Sequence, residues 1–192
     1  YDPRLKEVLP WLKGSETMLA ALVVGGKPSD ESCDARAVEL VREIARLAQP
    51  QGVKVALYPH VTDWMERVED ALRVTRKVDR PNVGVMFNLC HWIKVDQEQN
   101  LPPLLKTALP HLLAVTLNGS DRGADLRAGK GRWIVPLDTG DFDMGGLLKT
   151  LHDLGYTGPV GLQCYGIPGD ARDHLARSMS AWRKLNAPTD RR

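Results

Sequence analysis

Four apolar runs in this chain end in side chains that can move protons or hydrogen-bond a ligand. Val53 to Leu57 leads into Tyr58-Pro59-His60, and Val83 to Phe87 leads into Asn88-Leu89-Cys90-His91-Trp92. Leu112 to Leu117 leads into Asn118, and Val160 to Leu162 into Gln163-Cys164-Tyr165. His60 and His91 are the candidate catalytic residues, because an unperturbed imidazole titrates at about 6.5, close to neutrality. Tyr58, Asn88, Asn118, Gln163 and Tyr165 both donate and accept hydrogen bonds, which suits a neutral polyhydroxy ligand. Trp92 adds a face on which a sugar ring can stack. The bland alternative is that these groups satisfy one another and the loop backbone.

Other chemistry-bearing residues fit a pattern less well. His60 and His91 could join Cys90 or Cys164 around a soft transition metal, but no pair has the i, i+4 spacing of a helical ligand set. Arg122, Arg127, Lys130 and Arg132 share a glycine-rich stretch and could clamp an anion, with Arg132 a candidate substrate-binding residue; loop cations are also commonly just solvated. Asp138, Asp141 and Asp143 lack the glycine and terminal glutamate of a calcium loop and read as caps for a helix from Met144 or Gly146. Cys33, Cys90 and Cys164 are odd in number and widely spaced, so they read as free thiols. His111, His152 and His174 fall on predicted helices away from the strand ends.

The elements that must position these residues alternate. Leu5, Val8, Leu9 and Leu12 mark a short first helix interrupted by Pro10. Met18 to Val24 reads as a buried strand, and a helix follows from Ser29 or Asp30 to Pro50. After the strand at Val53, Asp63 and Glu66 have capping-box spacing for a helix carrying Trp64, Val68, Ala71, Leu72, Thr75 and Val78. Further helices are predicted over 101–109, 147–154 and 170–185. Residues 119 to about 141 form a long irregular segment with five glycines, and a loop of that length is usually functional or disordered. Strands beginning near residues 18, 53, 83, 112 and 159, each followed by a helix, predict a parallel sheet wrapped by helices. In such sheets, chemistry sits at the C-terminal ends of the strands.

Composition narrows the function classes. The 192 residues are one domain's length, and 43% apolar content is enough to fill a core. With 26 basic against 24 acidic residues, no surplus of charge marks a dedicated nucleic-acid or anionic-membrane surface. No apolar run approaches the roughly 20 residues of a membrane span. We expect a soluble protein, cytoplasmic by default, with removal of a signal segment before Tyr1 left open. Residues 1–187 are expected to form a single domain and 188–192 a disordered tail.

The segment Pro136-Leu137-Asp138-Thr139-Gly140-Asp141-Phe142-Asp143, followed by Leu147-Leu148-Lys149-Thr150-Leu151 and Leu154-Gly155-Tyr156-Thr157-Gly158-Pro159-Val160, resembles a loop, helix and strand entry of the xylose isomerase-like TIM barrels. That family includes sugar phosphate isomerases and epimerases and metal-dependent AP endonucleases. The resemblance covers nearly the whole chain and implies an α/β barrel of the (β/α)8 type that is incomplete, with the last five strands present and the first three missing. A complete barrel needs about 250 residues. Either the sequence is a fragment, or another chain or an N-terminal segment supplies the remaining wall, because open sheet edges invite pairing.

The resemblance also implies a divalent-metal site. Its glutamate positions fall on Tyr58 and Gln163, its aspartate on Asn88 and a histidine on Thr116, and only His91 matches. Hard cations require anionic oxygen, so we expect no metal and no cofactor. The leading expectation is an isomerase- or epimerase-like protein that binds a small-molecule carbohydrate or polyol. His91 or His60 would move protons, and Tyr58, Asn88 and Gln163 would orient the substrate. The competing expectation is a non-catalytic sugar-binding or partner subunit. DNA repair shares the fold only, since the chain lacks both a zinc cluster and a basic face.

Overall fold

A computed structural model describes residues 1–187, so the expected disordered tail at 188–192 lies outside the described residues. The first helix is short: α1 (Leu5–Val8) passes into a 3-10 turn at Leu9, where Pro10 cannot donate to a regular ladder. Then follow β1 (Met18–Ala21), α2 (Asp34–Ala48), β2 (Lys54–Leu57), α3 (Val68–Val78) and β3 (Val83–Asn88). The chain continues through α4 (Leu89–Val95), α5 (Leu101–Ala108), β4 (Leu112–Leu117), α6 (Gly123–Arg127), α7 (Met144–Asp153), β5 (Val160–Leu162) and α8 (Ala171–Leu185).

The five strands form one parallel sheet in the order β1-β2-β3-β4-β5. Sequential order with a helical crossover at every step makes each new strand extend the same edge, so the sheet curls into a half-barrel. Val55, Leu57, Val85, Phe87, Val115 and Leu117 are buried in one core with Ala45 and Ala48 of α2, Ala71 and Val74 of α3, Leu105 and Ala108 of α5, and Leu147 and Leu151 of α7. Among the alternate positions, Ala20, Ala56 and Gly84 are small and are register partners on neighbouring strands. A concave face lined by such residues leaves room at its upper end for the larger side chains that follow the strands.

A buried ion network ties α2 to α3. Arg73 donates to Asp34 at 2.8 and 3.1 Å and to Asp70 at 2.8 Å, and Lys77 reaches Asp34 at 2.5 Å. Burial pushes the Asp34 carboxyl up, but the hydrogen bonds from Arg73 and Lys77 outweigh it and the net shift is down.

Several boundaries differ from the sequence reading. β1 stops at Ala21 instead of reaching Val24, because Leu22 and Val24 run along an open edge and are exposed. Asp63 and Glu66 do not cap α3. Trp64 and Met65 belong to a buried loop, and the Asp70 carboxylate accepts from the Arg67 N–H at 2.9 Å to cap the helix one turn later. The long segment after β4 contains α6 and an antiparallel bridge between Gly119 and Val135, so it is more ordered than its glycines suggest. Only Asp143 of the three aspartates caps α7, accepting from the Gly146 N–H at 2.8 Å.

Candidate active site

At Asn88 the sheet hands over directly to a helix. The Asn88 side chain N-caps α4 by accepting from the Cys90 N–H at 3.2 Å, so no loop separates β3 from α4. The sequence reading missed this helix because seven residues are too few for periodicity to register. Its consequence is functional. The helix turns Cys90 and His91 back over the mouth of the half-barrel, beside Tyr58 and His60 from the end of β2.

These groups form a connected set. The Tyr58 hydroxyl lies 3.2 Å from His91 Nε2, and Asn88 Nδ2 donates to the same hydroxyl. The Cys90 thiol donates to Asn88 Oδ1 at 2.9 Å. The His60 and His91 rings sit 4.0 Å apart, and Tyr58 meets His91 edge-on at 5.6 Å. His60 Nδ1 is 3.4 Å from Asp63 Oδ2 without a hydrogen bond to it. The set borders a cavity of about 290 Å3 whose remaining wall includes Leu22, Trp133, Ile134, Gln163 and Tyr165. Three larger hollows, of about 380, 430 and 470 Å3, lie elsewhere, and none brings together two histidines and a phenol.

Tyr58, Cys90 and His91 are uncharged at neutral pH. Burial, reinforced by His60 and Lys94, pushes the His91 imidazole down to about 4. Burial, with a contribution from Cys90, pushes the Tyr58 phenol up to about 12, against an opposing hydrogen bond from Gln163. Burial likewise holds the Cys90 thiol up at about 12, so it stays protonated.

The structure gathers Tyr58, Asn88, His60, His91, Gln163 and Tyr165, and leaves three expected residues elsewhere. Trp92 is buried on the opposite side of α4, against Phe87, with its indole nitrogen 3.3 Å from Asp96 Oδ2. One residue along a helix rotates a side chain by about 100 degrees, which separates it from His91. Asn118 is fully buried and donates to the carbonyls of Gly119 and Trp133 at 2.8 and 2.9 Å, so it fastens the loop. Arg132 is bound to Asp121 at 2.9 and 2.6 Å. Nor do the other loop arginines cluster: Arg122 faces Glu98, and Arg127 binds the carbonyls of Ile93 and Asp96.

Trp133 is the residue that sequence reasoning overlooked. Its indole donates to the Cys90 carbonyl, its ring meets His91 edge-on at 5.8 Å, and Lys94 lies over its face. The signal was present as Trp133-Ile134-Val135, an apolar triplet in an otherwise polar loop, which marks a segment that must dock on something.

A divalent cation of the kind the fold family implies does not fit these donors. No carboxylate lines the cavity, and Asn88 Oδ1 is already occupied as the α4 cap. Among the described residues no group of three or more His, Cys, Asp or Glu is placed to hold a metal ion.

A parallel half-barrel with its polar groups at the strand ends defines a class, the TIM-barrel proteins that bind at the C-terminal mouth. Residues 11–185 match the family described as xylose isomerase-like TIM barrel, and the chain belongs to that family. Among solved structures, a xylose isomerase domain protein from Planctomyces limnophilus shares 21% identity and superposes with a TM-score of 0.71, covering 95% of this chain and 63% of that one. A D-allulose 3-epimerase from Methylomonas sp. gives 16% identity and a TM-score of 0.75, covering 94% and 68%. The 3-keto-D-glucoside 4-epimerase of E. coli gives 18% and 0.70, covering 94% and 69%. At such identities the likeness concerns the fold. This chain spans 63% of the length of the Planctomyces protein. No curated protein matches the sequence.

Proposed function

We propose that the cavity beside Tyr58 and His91 binds an uncharged carbohydrate or polyol, and that this pair shuttles a proton at a carbon next to a carbonyl or hydroxyl. The observation that carries the reading is the 3.2 Å contact between Tyr58 Oη and His91 Nε2 at the edge of a cavity lined with hydrogen-bonding groups and no carboxylate. Once the phenol has passed its proton to the imidazole, the phenolate takes the proton from the substrate carbon and the imidazolium gives one to the adjacent carbonyl oxygen. The reverse steps return a proton to carbon and restore both groups, so an isomerisation or epimerisation consumes none. His60, stacked on His91, is the second candidate for the acid-base role. Asn88 donates to the phenol, and Gln163 and Tyr165 border the opening. The donor set lacks anionic oxygen, so the reading assigns no step to a hard divalent cation. That several structural neighbours are sugar epimerases supports the substrate class.

The test is a panel of neutral ketoses, aldoses and polyols, scored for binding by Trp133 fluorescence and for proton exchange at carbon by solvent deuterium uptake. His91→Gln and Tyr58→Phe should keep binding within about tenfold and lose exchange by 100-fold or more, the usual span of a general acid-base contribution. If binding persists while the wild type shows no exchange, the cavity is a binding site alone. One feature favours that second reading: with His91 near 4 and Tyr58 near 12, neither group is tuned to neutral pH.

We also infer that further strands complete the wall, on this polypeptide or on a partner. β1 and β5 are both edges, and exposed apolar residues flank them: Trp11, Leu22 and Val24 on one side, and Leu162, Leu175 and Met179 on the other. Among the described residues no helix is long and apolar enough to cross a membrane.

A further inference from the structure

The hydrogen bonds around Tyr58 have a direction, and it follows from one fixed end. Asn88 Oδ1 faces the Cys90 N–H at 3.2 Å and the Cys90 thiol at 2.9 Å. Rotating the amide would set its NH2 against the backbone donor, so the oxygen must stay on that side and Nδ2 must face Tyr58. The Tyr58 oxygen therefore accepts from Asn88. The Gln163 Oε1 is likewise committed to a backbone donor, accepting from the Tyr165 N–H at 3.0 Å. With its oxygen already an acceptor, the phenol has one proton to give, and His91 Nε2 at 3.2 Å is there to take it.

We propose that Asn88 is a positioning residue which, through the Tyr58 hydroxyl, holds His91 as the tautomer protonated on Nδ1, with Nε2 the hydrogen-bond acceptor. This deepens the proposed function and rests on the same site. It makes Nε2 the ring nitrogen that receives the phenolic proton in the exchange. It puts a proton on His91 Nδ1, which is buried with no hydrogen-bond partner among the described residues. The ring orientation is set by the phenol on its other nitrogen, and the Nδ1–H is left as a donor for an oxygen that the described residues do not supply.

The proposal is tested on the full chain labelled with 15N, by long-range correlation of the imidazole nitrogens at about pH 8, well above the ordinary imidazole value. In the wild type, His91 Nε2 should resonate as an unprotonated ring nitrogen and Nδ1 as a protonated one. Asn88→Asp keeps an oxygen for the α4 cap but turns the donor facing Tyr58 into an acceptor. The phenolic proton should then turn to the new carboxylate, and Nε2 should acquire a proton and donate to the phenol. Tyr58→Phe removes the donor altogether and should also release Nε2 to the protonated form. A wild type protonated on Nε2 overturns the proposal, and so does an Nε2 signal unchanged in both variants. Should Asn88→Asp fail to fold, the wild type and Tyr58→Phe still decide the matter. Failure of every sugar to bind would sink the functional reading while leaving the tautomer result standing, so the two failures are distinguishable.

Discussion

The Lys94 ammonium lies 3.4 Å from the centre of the Trp133 ring. This contact joins α4, which carries His91, to the loop that walls the cavity. The indole beneath the cation meets His91 edge-on and donates to the Cys90 carbonyl, so one stacked pair fixes the loop against the helix. A cation over a partly desolvated indole contributes on the order of 1 kcal/mol. Lys94→Met should therefore lower unfolding stability by about 1 kcal/mol and shift Trp133 emission. Because Lys94 also helps to lower the His91 value, the same variant should raise it, which a histidine titration by NMR would read.

Stability should fall as the solution is acidified, and His91 should be a main cause. Its imidazole sits near 4 in the folded chain against an ordinary 6.5, so the unfolded chain binds the proton more readily. Stability then rises with pH through this window and is lost as pH falls below about 6.5. Between about pH 7 and pH 5 the loss assigned to this group is about 2 kcal/mol. Urea titrations of wild type and His91→Gln at the two pH values would read it, and the wild type should show the larger loss.

Arg73 serves two buried carboxylates, so removing it leaves both without their main partner. Arg73→Met should destabilise the fold by about 3 to 5 kcal/mol, the range for an orphaned buried charge. Lys77 is half exposed, and Lys77→Met should cost no more than about 1 kcal/mol. Equal losses in chemical denaturation would show that the network is not organised around Arg73.

Gly140 has φ of +96°, and a Cβ placed there would stand 2.0 Å from the Ser120 carbonyl oxygen. No flexible side chain can yield at that point, because the obstacle is backbone. Gly140→Ala should loosen the segment that presents Trp133, costing more than about 1 kcal/mol and raising amide exchange across residues 119–142. By contrast, Gly129 has open space around it and a similar φ. Gly129→Ala should lose only the strain of its backbone conformation, about 1 kcal/mol.

The β5 edge gives a prediction about association. Leu162 is exposed on an edge strand, paired on one side only, beside Leu175 and Met179 of α8. The chain by itself should self-associate with rising concentration, and Leu162→Lys should reduce this in size-exclusion chromatography with light scattering. Unchanged association in that variant would direct attention to the β1 edge.

The sequential strand order rested on the family resemblance, since alternation alone also fits a doubly wound sheet. The alternation of apolar runs with helical periods determined the parallel sheet, because most of the crossovers carry a helix long enough to register its own period and a parallel strand admits few other connections. The strand ends at Tyr58, Asn88 and Gln163 were legible for the same reason, since each is the first large polar group after a run that must be buried. Tertiary structure decided the rest. Trp92 and His91 are neighbours in sequence, yet α4 is too short to announce itself, and its rotation sends one to the core and the other to the cavity. Asn118 looks like its counterparts at the other strand ends, but the loop folding back over it claims both of its donor hydrogen bonds. Trp133 lies far along the chain from Lys94 and His91, and only the bridge from Gly119 to Val135 brings it there. Pattern along a chain reports which residues must leave water. Which of the polar ones face a ligand depends on distant backbone groups competing for the same donors and acceptors.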